Sequence, residues 1–155
     1  MASKGFRRQR LLDVKEILLQ IEALALRQRE DVHVQNLQSL ARTQQIKEEF
    51  LTTASDQERK AAILGPQELM VRSRYTLQLH AEIGHFIYRA RQSRDAVELQ
   101  RKLVEEAAQA KQTLEKLKDH QNSAARLEED RKDQRALDEV AARSYLMSSH
   151  GRAVG

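Results

Sequence analysis

Apolar residues recur along this chain at steps of three and four, and one short stretch interrupts them. Val14, Ile17, Ile21 and Leu24 make a single apolar stripe of helical period. The stripe weakens through Gln28 and Asp31, then resumes, shifted, at Leu37, Leu40 and Ile46 to Leu51. Such a shift marks a local register change within one long helix. A first helix is therefore predicted from about residue 6 to about residue 60. Thr52 to Asp56 is its weakest part, because Ser55-Asp56-Gln57-Glu58 could cap a new short helix.

The interruption is Leu64-Gly65-Pro66-Gln67-Glu68. Glycine tolerates cap geometry, proline suits the first helical position, and Glu68 favours a helix amino terminus. The chain should reverse at about residues 64–67. A second stripe follows, through Leu69, Thr76, Leu79, Ile83, Phe86, Ala90, Val97 and Val104, reappearing at Ala107, Ala110, Leu114 and Leu117. These are coiled-coil seam spacings, and a short connection makes neighbouring helices antiparallel. The expected fold is all-α: a long antiparallel two-helix coiled coil, or helical hairpin, forming one domain over 1–155. Its second helix is predicted over about 67–147, with a frayed tail at 148–155 (SSHGRAVG).

At 1.5 Å per residue the first helix would span about 80 Å and the second about 120 Å. Folded at Gly65-Pro66, residue 10 should lie opposite about residue 120, leaving the rest of the second helix as an overhang without an antiparallel mate. That overhang belongs to the stretch Leu114–Leu146, which is densely charged, free of proline and glycine, and too poor in apolar residues to bury itself. A helix that polar is waiting for a partner. Gln28, Gln44, Gln100, Lys111 and Gln121 fall at or near core positions, so the seam is weak. Marginal stability follows, with no cooperative melting far above about 70 °C.

Composition sharpens this picture. Aromatics are 4% of the chain, tryptophan is absent, and charged residues reach 32%, the make-up of long helices and not of an ordinary globule. Cysteine is absent, which rules out disulfides and thiolate metal sites and fits a reducing cytosol. No apolar run approaches the roughly 18 to 20 residues that cross a bilayer. The net charge of +4 is uneven: residues 1–30 carry seven basic and four acidic side chains, 66–94 five and two, 95–147 ten and twelve. The two basic regions are either solvated helix faces or patches for acidic partners.

Catalytic chemistry finds no footing. Gly65 has no partner glycines and no following Lys-Ser or Lys-Thr, so no phosphate-binding loop exists. His80 and His85 are five apart, which is not the i, i+4 spacing of a ligand pair on one helix face. No enzyme activity, cofactor or metal is expected. Phe6-Arg7-Arg8-Gln9-Arg10 is a basic patch with one aromatic, but no recognition module accompanies it, and nucleic acid is not an expected ligand. One cluster stands out: Tyr75, Leu79, Ile83 and Phe86 step by four, four and three, with Tyr88 nearby. It reads either as core against the first helix or, because it spreads wider than one seam, as a partner anchor.

Taken in order, Phe6-Arg7-Arg8-Gln9-Arg10-Leu11-Leu12-Asp13, then Glu68-Leu69, Tyr75, Leu79 and Ile83, then Leu114-Glu115-Lys116-Leu117, Asp133-Gln134 and Leu137-Asp138-Glu139, the chain resembles the FliJ family. This is the coiled-coil stalk of the flagellar type III export apparatus, similar to the rotor stalk of rotary ATPases. The resemblance implies a non-catalytic stalk that inserts the end carrying both termini into a hexameric export ATPase ring. It further implies contact with the membrane export gate, an escort role for export chaperones, and a monomer when isolated. Location would be cytoplasmic, peripheral to the inner face of the cell membrane and without insertion into it. On this analogy Tyr75, Leu79, Ile83 and Phe86 meet the gate, and Phe6, Arg7, Arg10, Arg131, Gln134, Asp138 and Glu139 meet the ring. Glu82 and Phe86 stand where the family pattern has a small residue and a histidine. The equivalent stalk of a virulence secretion system and a self-associating coiled-coil scaffold are the alternatives.

Overall fold

The structure is a computed structural model that describes residues 3–60 and 64–152, with side chains from residue 8 onward. Two α-helices account for nearly all of it: α1, Ser3–Lys60, and α2, Pro66–Arg152. Pro66 opens α2 at the position where its missing N–H costs no hydrogen bond, and Glu68 lies in the first turn beside the positive end of the helix dipole. The Leu69 amide donates to the Gly65 carbonyl at 3.2 Å, making Gly65 the amino-terminal cap. No described residue has positive φ, so Gly65 serves α2 without any left-handed geometry.

Helix α1 does not break near Ser55. It is continuous to Lys60, so Ser55-Asp56-Gln57-Glu58 starts no new helix, and within the weak stretch the Thr52 hydroxyl donates to the Glu48 carbonyl one turn back. Helix α2 continues to Arg152, through the described part of the tail expected to fray over 148–155, of which residues 153–155 lie outside the described residues. Ser148 and Ser149 do not unwind it, because their hydroxyls return to the Tyr145 and Leu146 carbonyls within the helix.

The described chain divides into two compact units. In the larger, residues 16–108, the two helices form an antiparallel hairpin. Partners fall in number on one helix as they rise on the other: Arg72 with Gln57, Tyr75 with Phe50, Ser93 with His33, Gln100 with Glu22. On α2 the buried seam is Leu79, Ala90, Ser93, Val97 and Gln100, with Ile83 and Phe86 half-buried between them. That is the alternation of three and four that keeps one face toward a partner helix.

The matching face of α1 is not the one that periodicity highlights. Leu19, Glu22 and Leu26 are half-buried, whereas Ile17, Ile21 and Leu24 are each more than half exposed. Gln28 and Gln44, read as core positions, are exposed too. The reason lies in Gln100, only 4% exposed, whose amide donates to the Glu22 carbonyl at 3.1 Å and also to the Glu22 carboxylate. A buried amide needs such a partner, and Glu22 can supply it only if its own face turns inward.

The smaller unit joins residues 1–15 to 109–155. Leu12 is buried here, and Ala110, Lys111, Leu114 and Gln121 are half-buried. The Lys118 ammonium donates to the Gln9 side-chain carbonyl at 2.8 Å, and the Gln9 amide donates to Asp13 at 3.0 Å. Val14 is half exposed, as are its companions in the stripe. From residue 122 to residue 152 every side chain of α2 is exposed.

Candidate partner-binding surfaces

Two surfaces qualify, one in each unit. The first lies on α2 soon after the turn. Arg72 anchors this end of the hairpin: it donates to Gln57 at 2.5 Å and stands 3.5 Å from the Glu58 carboxylate. One turn on, Tyr75 packs edge-on against Phe50 with ring centroids 4.6 Å apart, yet keeps 38% of its surface exposed. Leu79 is buried at 4% exposure and is a seam residue of the closed hairpin. Ile83 and Phe86 are half-buried, and the Phe86 ring tilts against His85 at 6.1 Å. The four residues therefore share one strip, but only Tyr75 offers a broad free surface. Phe50, which fixes Tyr75, has no distinguishing signal in the sequence beyond being aromatic.

The second surface is the exposed helix over residues 122–152. Arg131, Gln134 and Asp138 step by three and four and so share a face, with Glu139 one residue around. All four are exposed, and Lys132 pairs with Glu128 one turn away at 3.6 Å. Leu127, Leu137, Val140, Tyr145 and Leu146 are exposed among these charges. Six basic and six acidic side chains lie between residues 122 and 152, so the segment is dense in charge but balanced. Arg10 is exposed in the same unit, while the side chains of Phe6 and Arg7 lie outside the described residues.

A serine–histidine contact does occur, at 2.8 Å between His33 Nδ1 and Ser93 Oγ. It is a staple between helices. Ser93 is buried, and its only proton goes to the Ala90 carbonyl at 3.0 Å, so His33 must donate and Ser93 is not poised as a nucleophile. Among the described residues no group of three histidine or carboxylate side chains could hold a metal ion, and no helix is long and apolar enough to cross a membrane.

No curated protein and no solved structure matches the chain. One family model does, described as flagellar FliJ protein, over residues 4–149. Membership of that family implies a stalk component of flagellar protein export, and the all-helical fold agrees with it. Matched from the first turn of α1 almost to the end of α2, the chain belongs to the FliJ family.

Proposed function

We propose that this protein is the non-catalytic stalk that couples the flagellar export ATPase to the export gate. The observation carrying this reading is the helix over residues 122–152, folded and charged yet exposed at every position. A helix with so little of its own to bury is suited to a lumen lined by other chains. There its charges find partners without needing a conventional core. Arg131, Gln134, Asp138 and Glu139 would meet the ring, joined by Arg10, Phe6 and Arg7 from the start of α1. An asymmetric shaft of this kind makes different contacts with each ring subunit, and differential contacts are what bias a conformational cycle.

Soon after the start of α2, Tyr75 with Ile83 and Phe86 would contact the gate, and Leu79 would hold the strip in place from the seam. The same protein would escort export chaperones and work in the cytoplasm, against the inner face of the cell membrane, as a monomer outside the assembly. The test is the ATPase activity of the purified ring with and without this protein. Stimulation together with co-purification is expected. A ring that neither responds to the protein nor retains it would overturn the stalk reading.

A further inference from the structure

Within the hairpin of residues 16–108, α2 carries a second heptad stripe that the seam does not use. Met70, Leu77, Ala81, Gly84 and Tyr88 follow at steps of seven, four, three and four. At 100° per residue they lie about 160° around the helix from the line through Leu79, Ile83, Phe86 and Ala90. Met70, Leu77 and Tyr88 are 59%, 65% and 58% exposed, so their bulk projects away from α1.

Gly84 is the odd member of this stripe. It sits deep inside an 87-residue helix, where glycine is the poorest residue after proline. Its φ is ordinary, and a Cβ built on it would meet nothing within 4 Å. Among the described residues, then, no neighbour calls for a glycine. With Ala81 one turn earlier it leaves a shallow notch between Leu77 and Tyr88, where another helix could approach closely. The Tyr88 hydroxyl accepts from Gln92 at 2.6 Å, holding the ring at the edge of that notch.

Charge identifies the occupant. Arg74 and Arg91 are exposed on opposite flanks of the stripe, with no ion pair or hydrogen bond among the described residues. Between Met70 and Gln92 the single carboxylate is Glu82, which lies toward the seam side and accepts from Gln78 at 3.2 Å. A second copy fits badly: antiparallel pairing that sets Leu77 over Tyr88 also sets Arg74 against Arg91. We propose that the outward face of α2 from Met70 to Tyr88 docks an acidic amphipathic helix of another protein, seating a bulky apolar side chain over Ala81 and Gly84. This face is separate from the strip assigned to the gate, and the inference does not rest on the stalk reading.

The experiment measures binding of the full-length protein to a labelled helical peptide of about three heptads, with leucines on one stripe and glutamates beside them. A matched peptide carries lysines in place of the glutamates. The glutamate peptide should bind at least tenfold tighter, and more weakly as salt rises. Gly84→Leu should weaken binding tenfold or more while leaving the thermal midpoint unchanged or higher, since leucine is the better helix former. Arg74→Glu with Arg91→Glu should reverse the preference between the two peptides. Equal binding of both peptides, or wild-type affinity in Gly84→Leu, would overturn the proposal. Self-association lost in Gly84→Leu would also overturn it, by giving the face to a second copy. Gly84→Leu should leave ATPase stimulation intact, so this inference and the stalk reading fail separately.

Discussion

Phe50 and Tyr75 meet edge to face, their ring centroids 4.6 Å apart and their planes at 68°, joining α1 to α2 near the turn. Edge-to-face pairs contribute about 0.5–1.5 kcal/mol beyond the area they bury. A double-mutant cycle of Phe50→Ala and Tyr75→Ala should return a coupling of about that size. Strictly additive losses in urea unfolding would mean that the rings merely sit near one another.

Leu79 and Leu77 are two residues apart and face opposite ways, 4% and 65% exposed. Leu79→Ala should lower stability by about 2–4 kcal/mol, the range for truncating a buried leucine in a seam that can partly collapse. Leu77→Ala should change it by no more than about 0.5 kcal/mol. Chemical denaturation followed by circular dichroism separates them. Equal losses would place Leu77 in a core that the structure does not give it.

Gln100 is the polar centre of the hairpin seam, held by the Glu22 carbonyl and carboxylate. Gln100→Ala removes the donor and opens a hole, which should cost about 1–3 kcal/mol. Gln100→Leu should recover most of that loss while weakening the preference for this register, as replacing a buried polar seam residue does in coiled coils. Distances between spin labels on α1 and α2 would broaden in Gln100→Leu. Distances as sharp as wild type would show that Gln100 does not set the register.

Ile21 is exposed although it belongs to the clearest apolar stripe of α1, whereas Leu12 is buried. Ile21→Gln should therefore shift stability by no more than about 0.5 kcal/mol. Leu12→Ala should cost about 2 kcal/mol or more. A large loss from Ile21→Gln in thermal unfolding would mean that this stripe is buried in solution.

Ending the chain after Gln121 removes the segment in which every side chain is exposed. Because almost no apolar surface is buried there, the unfolding midpoint should move by only a few degrees. Stimulation of the export ATPase should disappear. A truncated chain that still stimulates the ring fully would remove residues 122–152 from the working surface.

The helices themselves are legible from local chemistry. Periodic apolar residues, the near absence of glycine and proline, and the lone Gly65-Pro66 break determine two long helices and the place where the chain turns. On α2 the steps from Leu79 to Val97 also identify the seam, because that stripe continues to Val104 and Ala107, whereas the one through Met70, Leu77 and Tyr88 meets Arg91 at its next step. The polar stretch after Gln121 is visible as a helix with too few apolar residues to bury itself. The strip proposed to meet a partner is less legible, since Tyr75 and Leu79 have the same spacing whether they face α1 or another protein, and the structure turns Leu79 into the seam.

Which face of each helix turns inward is set by the packing of one helix against the other. Helix α1 offers two candidates, Ile17-Ile21-Leu24 and Leu19-Glu22-Leu26, and apolar periodicity favours the first. The hairpin uses the second, because Gln100 on α2 is buried and must find an acceptor, which Glu22 supplies. A hydrophobic pattern reports the apolar surface that one helix carries. Burial depends on the polar groups its neighbour brings to the same seam, and those belong to a segment some eighty positions away in the chain.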